Sequence, residues 1–162
     1  MSLNRARTAI TSLNEAVILV LFAAMILATM AQVISRYVFN APLIWSEELS
    51  RYLFIWISFL GAWLAWVSRE HLGIDILPHV LPPRLKRPGQ VLIELTVLIF
   101  ALASMYFGRK ILSVSLGQPS AVLRLPMFWI YLSYYICMIL ISLEILLGWI
   151  GGQRPRPVGV AP

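Results

Sequence analysis

The chain has 162 residues, 60% of them hydrophobic and only 12% charged, with a formal net charge of +6. A composition this apolar excludes a soluble domain of this size. The thirteen Lys and Arg lie in loops and at the ends of apolar runs rather than along one basic, aromatic face, so the charge points to anionic membrane lipid and to topology, with no nucleic acid expected as a partner.

Four apolar runs, Leu13 to Ile34, Leu49 to Val67, Val91 to Phe107 and Met127 to Ile150, occupy half of the sequence. Each is near the roughly 20 residues that a helix needs to cross about 30 Å of hydrocarbon, and a helix satisfies its backbone groups within the segment. The expected fold is therefore all-α, an integral membrane protein with four transmembrane helices. Residues 1–150 read as one four-helix membrane domain, and residues 151–162, rich in Gly and Pro, as a disordered cytoplasmic tail.

The first run follows Arg5 and Arg7 and passes the small residues Ala28 and Ala31, a pattern that imitates a secretory signal. A signal core covers about 7 to 15 residues, whereas this run continues to Ile34 before Arg36, so it reads as a retained helix. Ala24, Ala28, Ala31 and Ser35 share one face of it, and Ser58, Gly61, Ala62 and Ala65 share a face of the second helix. Such faces permit close packing, with each other or with another protein. Gln32, toward the end of the first run, can bond across helices or to water.

Between the first two runs, Asn40-Ala41-Pro42 signals a turn, and Ser46 is placed to cap the second helix, with Glu47 and Glu48 at its positive end. The capping box is incomplete, because Leu49 stands where Glu or Gln would reach back. Arg51 follows the two acids by four and three residues and shares their face. The trio reads either as an interfacial salt bridge that ends a helix or as a charged docking surface for a partner.

After the second run, His71 to Pro78 mixes apolar and polar residues before Pro78, Pro82 and Pro83, which suits a short interfacial helix in this loop. Arg84, Lys86 and Arg87 form the densest basic cluster. With a cytoplasmic N-terminus, Arg5, Arg7, Arg69, Arg84, Lys86, Arg87, Arg154 and Arg156 lie inside against Arg36, Arg51, Arg109, Lys110 and Arg124 outside, eight against five. The positive-inside bias thus places both termini in the cytoplasm. Gly117 to Ser120 is a turn on the outer side, and the single Cys137, within the fourth run, reads as a small core residue.

Glu15, Glu94 and Glu144 fall near the inner ends of the first, third and fourth helices. At that shallow depth, pairing with Arg69, Arg84, Lys86, Arg87 or Arg154 is favoured over a proton or ion pathway. His71 and His79 are both in the inner loop, so they do not form the opposed pair that a haem would need. No phosphate-binding loop, nucleophile elbow or zinc-protease pattern is present in the sequence. No catalytic, metal or cofactor site is expected, and the chain does not read as an enzyme. Trp45, Trp63, Trp66, Trp129, Tyr131 and Trp149 lie near span ends as interfacial anchors, and Trp56 lies deeper, where it packs.

The stretch from Arg36 through Trp45-Ser-Glu-Glu-Leu-Ser-Arg51 to Trp56, followed by Phe59-Leu-Gly-Ala62, closely resembles the signature of the small membrane subunit of tripartite ATP-independent periplasmic (TRAP) transporters, the DctQ-like family. The resemblance continues through Arg69-Glu-His-Leu-Gly-Ile-Asp75 and Leu123-Arg-Leu-Pro-Met-Phe-Trp129. It departs after Tyr131, where Tyr134-Tyr135-Ile136-Cys137 replaces the family's frequent Pro-x-Gly and implies a straighter last helix.

The resemblance implies a three-part secondary transporter in the bacterial inner membrane: a periplasmic solute receptor protein, a large membrane subunit that moves substrate, and this small subunit as its scaffold. It further implies sodium-coupled uptake of an organic acid or related small solute. Trp45, Glu47, Glu48, Arg51, Trp56 and Gly61 become the candidate partner-contact or scaffold residues. The alternatives are a self-contained four-helix proton-coupled exporter, for which Glu15 is the one tempting acid, and a membrane-anchored redox or assembly protein. Neither accounts for the long signature.

Overall fold

A computed structural model describes the backbone over residues 2–68 and 83–151 and the side chains within 8–68 and 88–149. Among the described residues there are four helices, α1 (Ser2–Tyr37), α2 (Ile44–Ser68), α3 (Pro83–Ser115) and α4 (Phe128–Gly151). Their segments Thr8–Tyr37, Ile44–Ser68, Pro88–Ser115 and Phe128–Trp149 are long and apolar enough to cross a membrane. The chain is an all-α, multi-pass membrane protein. The loop assigned a short interfacial helix, the two histidines and the tail beyond Gly151 lie outside the described residues.

The helices overrun the apolar runs, because extending a formed helix through polar residues is easier than nucleating a new one. The largest difference is in α3, which starts at Pro83 and not at Val91. Arg84, Lys86 and Arg87, expected in a loop, therefore lie on helical backbone. Pro83 occupies the first position, where its missing N–H leaves no bond unmade. Pro88 is carried inside the same helix.

The turn between α1 and α2 follows its sequence signal. Asn40 adopts a left-handed conformation (φ 51°), which asparagine tolerates better than most residues. The chain then folds back so that the Ala41 N–H reaches the Ser35 carbonyl at 3.1 Å, while the Ser35 hydroxyl donates to the Ala41 carbonyl.

The chain divides into two compact units, Met1–Gly61 with Lys110–Tyr134 and Ala62–Arg109 with Tyr135–Pro162. In the first, apart from Ala24, the residues of α1 shielded from solvent are Thr11, Asn14, Ile18, Leu21, Met25, Ala28, Gln32 and Ser35. They alternate at three and four residues, one seam along the helix. Most other positions expose large apolar side chains, such as Leu19, Val20, Leu27 and Met30, as lipid-facing residues do. Of the small-residue face expected on α1, Ala28 and Ser35 lie on the seam, Ala24 lies beside it and Ala31 is exposed.

Polar ties join α1 to α2. The buried Asn14 amide donates to the Leu60 carbonyl at 3.2 Å, and the Thr29 and Ser50 hydroxyls lie 3.4 Å apart. Between α2 and α4, Phe59 meets Tyr134 edge to face, ring centroids 5.5 Å apart.

The second unit is centred on Trp63, Leu98, Ala101, Cys137, Ile141 and Ile145, all buried. Trp63, expected as an interfacial anchor, is instead only 3% exposed, because it lies on the inward face of α2. Tyr135 donates to the Met105 carbonyl at 3.2 Å, and a Cβ at Gly108 would stand 2.7 Å from that hydroxyl, so glycine permits the approach. Glu94, expected to pair with a basic residue, accepts the Trp149 indole N–H at 2.7 Å. Glu15 is exposed, Glu144 is half-buried and Cys137 fully buried; the side chains of Arg69, Arg84, Lys86, Arg87 and Arg154 lie outside the described residues.

Interhelical hydrogen bonds in membranes contribute on the order of 0.6 to 2 kcal/mol, so Asn14→Ala should destabilise the fold by about that amount. Thr29→Val should matter less, since the Thr29 hydroxyl already donates to the Met25 carbonyl of its own helix. Reversible unfolding in mixed micelles measures both.

Candidate functional site

The residues with the strongest chemical signal lie at the start of α2. Its first helical residue is Ile44, so Ser46 is inside the helix and does not cap it. Its buried hydroxyl donates backwards to the Leu43 carbonyl at 2.6 Å. Pro42, with its fixed φ, aims the chain into the helix before Ser46 is reached.

Consecutive residues on a helix are about 100° apart, and this separates the two acids. Glu47 faces outward and pairs with Arg51 at 3.0 Å, both side chains more than 60% exposed. Glu48 faces inward and is 7% exposed. Arg51 therefore takes the acid four residues earlier, and the alternative of a Glu48–Arg51 pair is not what forms.

Glu48 meets the connection between α3 and α4. That segment is a small hairpin: the Met127 N–H reaches the Gln118 carbonyl at 2.9 Å and the Ser120 N–H reaches the Leu125 carbonyl at 2.8 Å. The Leu125 N–H is satisfied by the Ser120 side-chain oxygen at 3.1 Å, and Arg124 turns the tip in a left-handed conformation (φ 57°). At the tip the consecutive N–H groups of Val122 and Leu123 both donate to Glu48 Oε2, at 2.8 and 3.0 Å. The Tyr52 hydroxyl, one turn along α2, donates to Glu48 Oε1, and the Met127 sulfur lies 3.6 Å from it.

The Ser120 hydroxyl lies against the same carboxylate. An ionised carboxylate only accepts, through about four lone-pair sites, and two amides with two hydroxyls match that demand. Successive backbone N–H groups form an anion-binding concavity; here the anion belongs to the same chain. The arrangement clasps the α3–α4 hairpin to the beginning of α2.

Of the other candidates, Trp45 is 41% exposed, Trp56 is half-buried, and a Cβ at Gly61 would meet nothing within 4 Å. None of these joins the clasp. Sequence reasoning missed Tyr52, Ser120, Val122, Leu123 and Met127 as Glu48's surroundings. Tyr52 was open to detection, four residues after Glu48 on the same face; the amide donors carry no side-chain signal.

The hairpin and the start of α2 both fall within residues 25–154, which match the family described as tripartite ATP-independent periplasmic transporters, DctQ component. The chain belongs to this family. It is 31% identical over 120 residues to the sialic acid TRAP transporter permease protein SiaT of Haemophilus influenzae, an alignment covering 74% of this chain and 20% of that one. Identity is 36% over 76 residues, covering 47% and 33%, with the C4-dicarboxylate TRAP transporter small permease protein DctQ of Vibrio cholerae. With the sialic acid TRAP transporter small permease protein SiaQ of the same species it is 29% over 99 residues, covering 61% and 57%. The chain thus spans from a fifth to somewhat over half of the length of these relatives. Within the DctQ family it is a small TRAP permease subunit.

Glu48→Ala leaves the Val122 and Leu123 amides without their acceptor, and we expect their hydrogen exchange to accelerate and the melting temperature to fall. Glu48→Gln, which keeps one carbonyl oxygen for the amides, should fall between wild type and alanine. Removing the exposed partners by Glu47→Ala or Arg51→Ala should change stability by no more than about 0.5 kcal/mol. Equal effects at positions 47 and 48 would contradict the clasp.

Proposed function

We propose that this subunit scaffolds a large, substrate-translocating TRAP membrane subunit in secondary, sodium-coupled uptake of an organic acid or related small solute delivered by a periplasmic receptor. The observation that carries the reading is the Glu48 clasp. It joins two of the segments that carry the resemblance, Trp45 to Arg51 and Leu123 to Trp129, by bonds within the chain. The chemistry of Glu48 goes into fixing a shape. A transport domain that moves through the bilayer needs a static neighbour, and a subunit whose outer connection is tied to a helix suits that task.

Membership of the DctQ family and the similarity to permease proteins named for sialic acid and C4-dicarboxylate support transport of a small acid. Trp45, Glu47, Arg51, Trp56 and Gly61 are proposed as contacts to the large subunit or the receptor. Trp45, Glu47 and Arg51 offer exposed surface for this, and Gly61 a close approach. Both termini are proposed to be cytoplasmic in the inner membrane, on the distribution of Lys and Arg.

In vesicles with an imposed sodium gradient, this chain alone should move no solute, and addition of the large subunit and receptor should establish uptake. Robust transport by the small chain alone would overturn the scaffold reading. In a Cys137→Ser background, single cysteines at positions 86 and 154 should resist an impermeant thiol reagent in intact cells while one at position 40 reacts. The reverse pattern would invert the topology.

A further inference from the structure

Arg109 is an exposed cation near the end of a segment long and apolar enough to cross a membrane. It follows the apolar run of α3 that ends at Phe107, and its neighbours Leu102, Tyr106 and Phe107 are 52%, 58% and 76% exposed. Helix side chains lean toward the N-terminus, so Arg109 folds back over the residue one turn earlier. Its guanidinium carbon lies 4.2 Å from the centroid of the Tyr106 ring. Among the described residues it meets no carboxylate, the Arg51–Glu47 ion pair being formed elsewhere.

A guanidinium held over a ring face keeps N–H groups that the ring does not use. That edge matches a phosphate diester, whose two oxygens accept parallel bonds from one arginine. Tyrosine at the end of an apolar run marks the depth at which lipid phosphates lie. We propose that Arg109, oriented by Tyr106, binds the phosphate of an anionic phospholipid at the membrane surface nearest the Ser115 end of α3. A zwitterionic lipid fits less well, because its own ammonium competes for the phosphate and is repelled by a chain of net charge +6.

Native mass spectrometry of the full chain in detergent, with phosphatidylglycerol or phosphatidylcholine added at equal mole ratio, tests the site by counting retained lipids. Wild type should retain phosphatidylglycerol preferentially, and Arg109→Gln should lower that retention about tenfold, as loss of a charge-assisted hydrogen bond does, with phosphatidylcholine unchanged. Arg109→Lys keeps the charge but loses the fork, and Tyr106→Leu loses the platform; both should be intermediate, and they decide the matter if the glutamine variant fails to fold by circular dichroism. Undiminished phosphatidylglycerol retention in these variants would overturn the proposal. Displacement of the lipid by excess inorganic phosphate would also overturn it, by showing a site for a free anion.

Discussion

A carboxylate near the start of an apolar helix persists only if its lone pairs are occupied, and Glu48 occupies them with donors from a segment more than seventy residues away in sequence. Two of those donors are backbone amides at a hairpin tip, which would otherwise have to find water or remain unpaired. The same interaction therefore meets two demands. Met127, at the foot of the hairpin, carries the effect onward, because its carbonyl accepts the first bonds of α4 from Ile130 and Tyr131. The start of α2, the tip of the hairpin and the start of α4 are set by one anion and its surroundings.

This economy follows from the solvent. In lipid the hydrophobic effect no longer drives helices together, so specific polar contacts and close van der Waals fit decide how they associate. Among the described residues of the first unit, three such contacts join separate elements in this way: Asn14 to the Leu60 carbonyl, Thr29 beside Ser50, and Glu48 to the hairpin. Much of its remaining surface, along α1 above all, is made of apolar side chains that face outward. That distribution agrees with a subunit whose fold is held from within while its outer surface remains available to lipid or protein.

The existence and order of the spans were legible in the sequence because a run of about 20 apolar residues has one economical solution in a bilayer. Helix ends were less legible: Arg84 to Arg87 look like a loop by composition, yet Pro83 opens a helix through them. The second acid is the sharper case. Spacing alone allows Arg51 to reach either Glu47 or Glu48, and what separates them is the face each presents to a hairpin whose decisive donors are main-chain N–H groups. Ser46 was misread for a related reason, since a serine before two acids carries the pattern of a cap whether or not the helix has already begun.

The burial seam of α1 has a consequence for how this helix can change over time. Its shielded residues, from Thr11 to Ser35, recur on average every three and a half positions, a spacing that makes the contact line wind slowly leftward around the helix. Replacement of one outward apolar residue by another leaves that line untouched, so the outer face can drift widely in composition. Gain or loss of a single residue between Asn14 and Ala28 is different, because it swings everything beyond it by about 100° and turns the seam toward the acyl chains. The length of α1 is thus constrained far more tightly than its lettering.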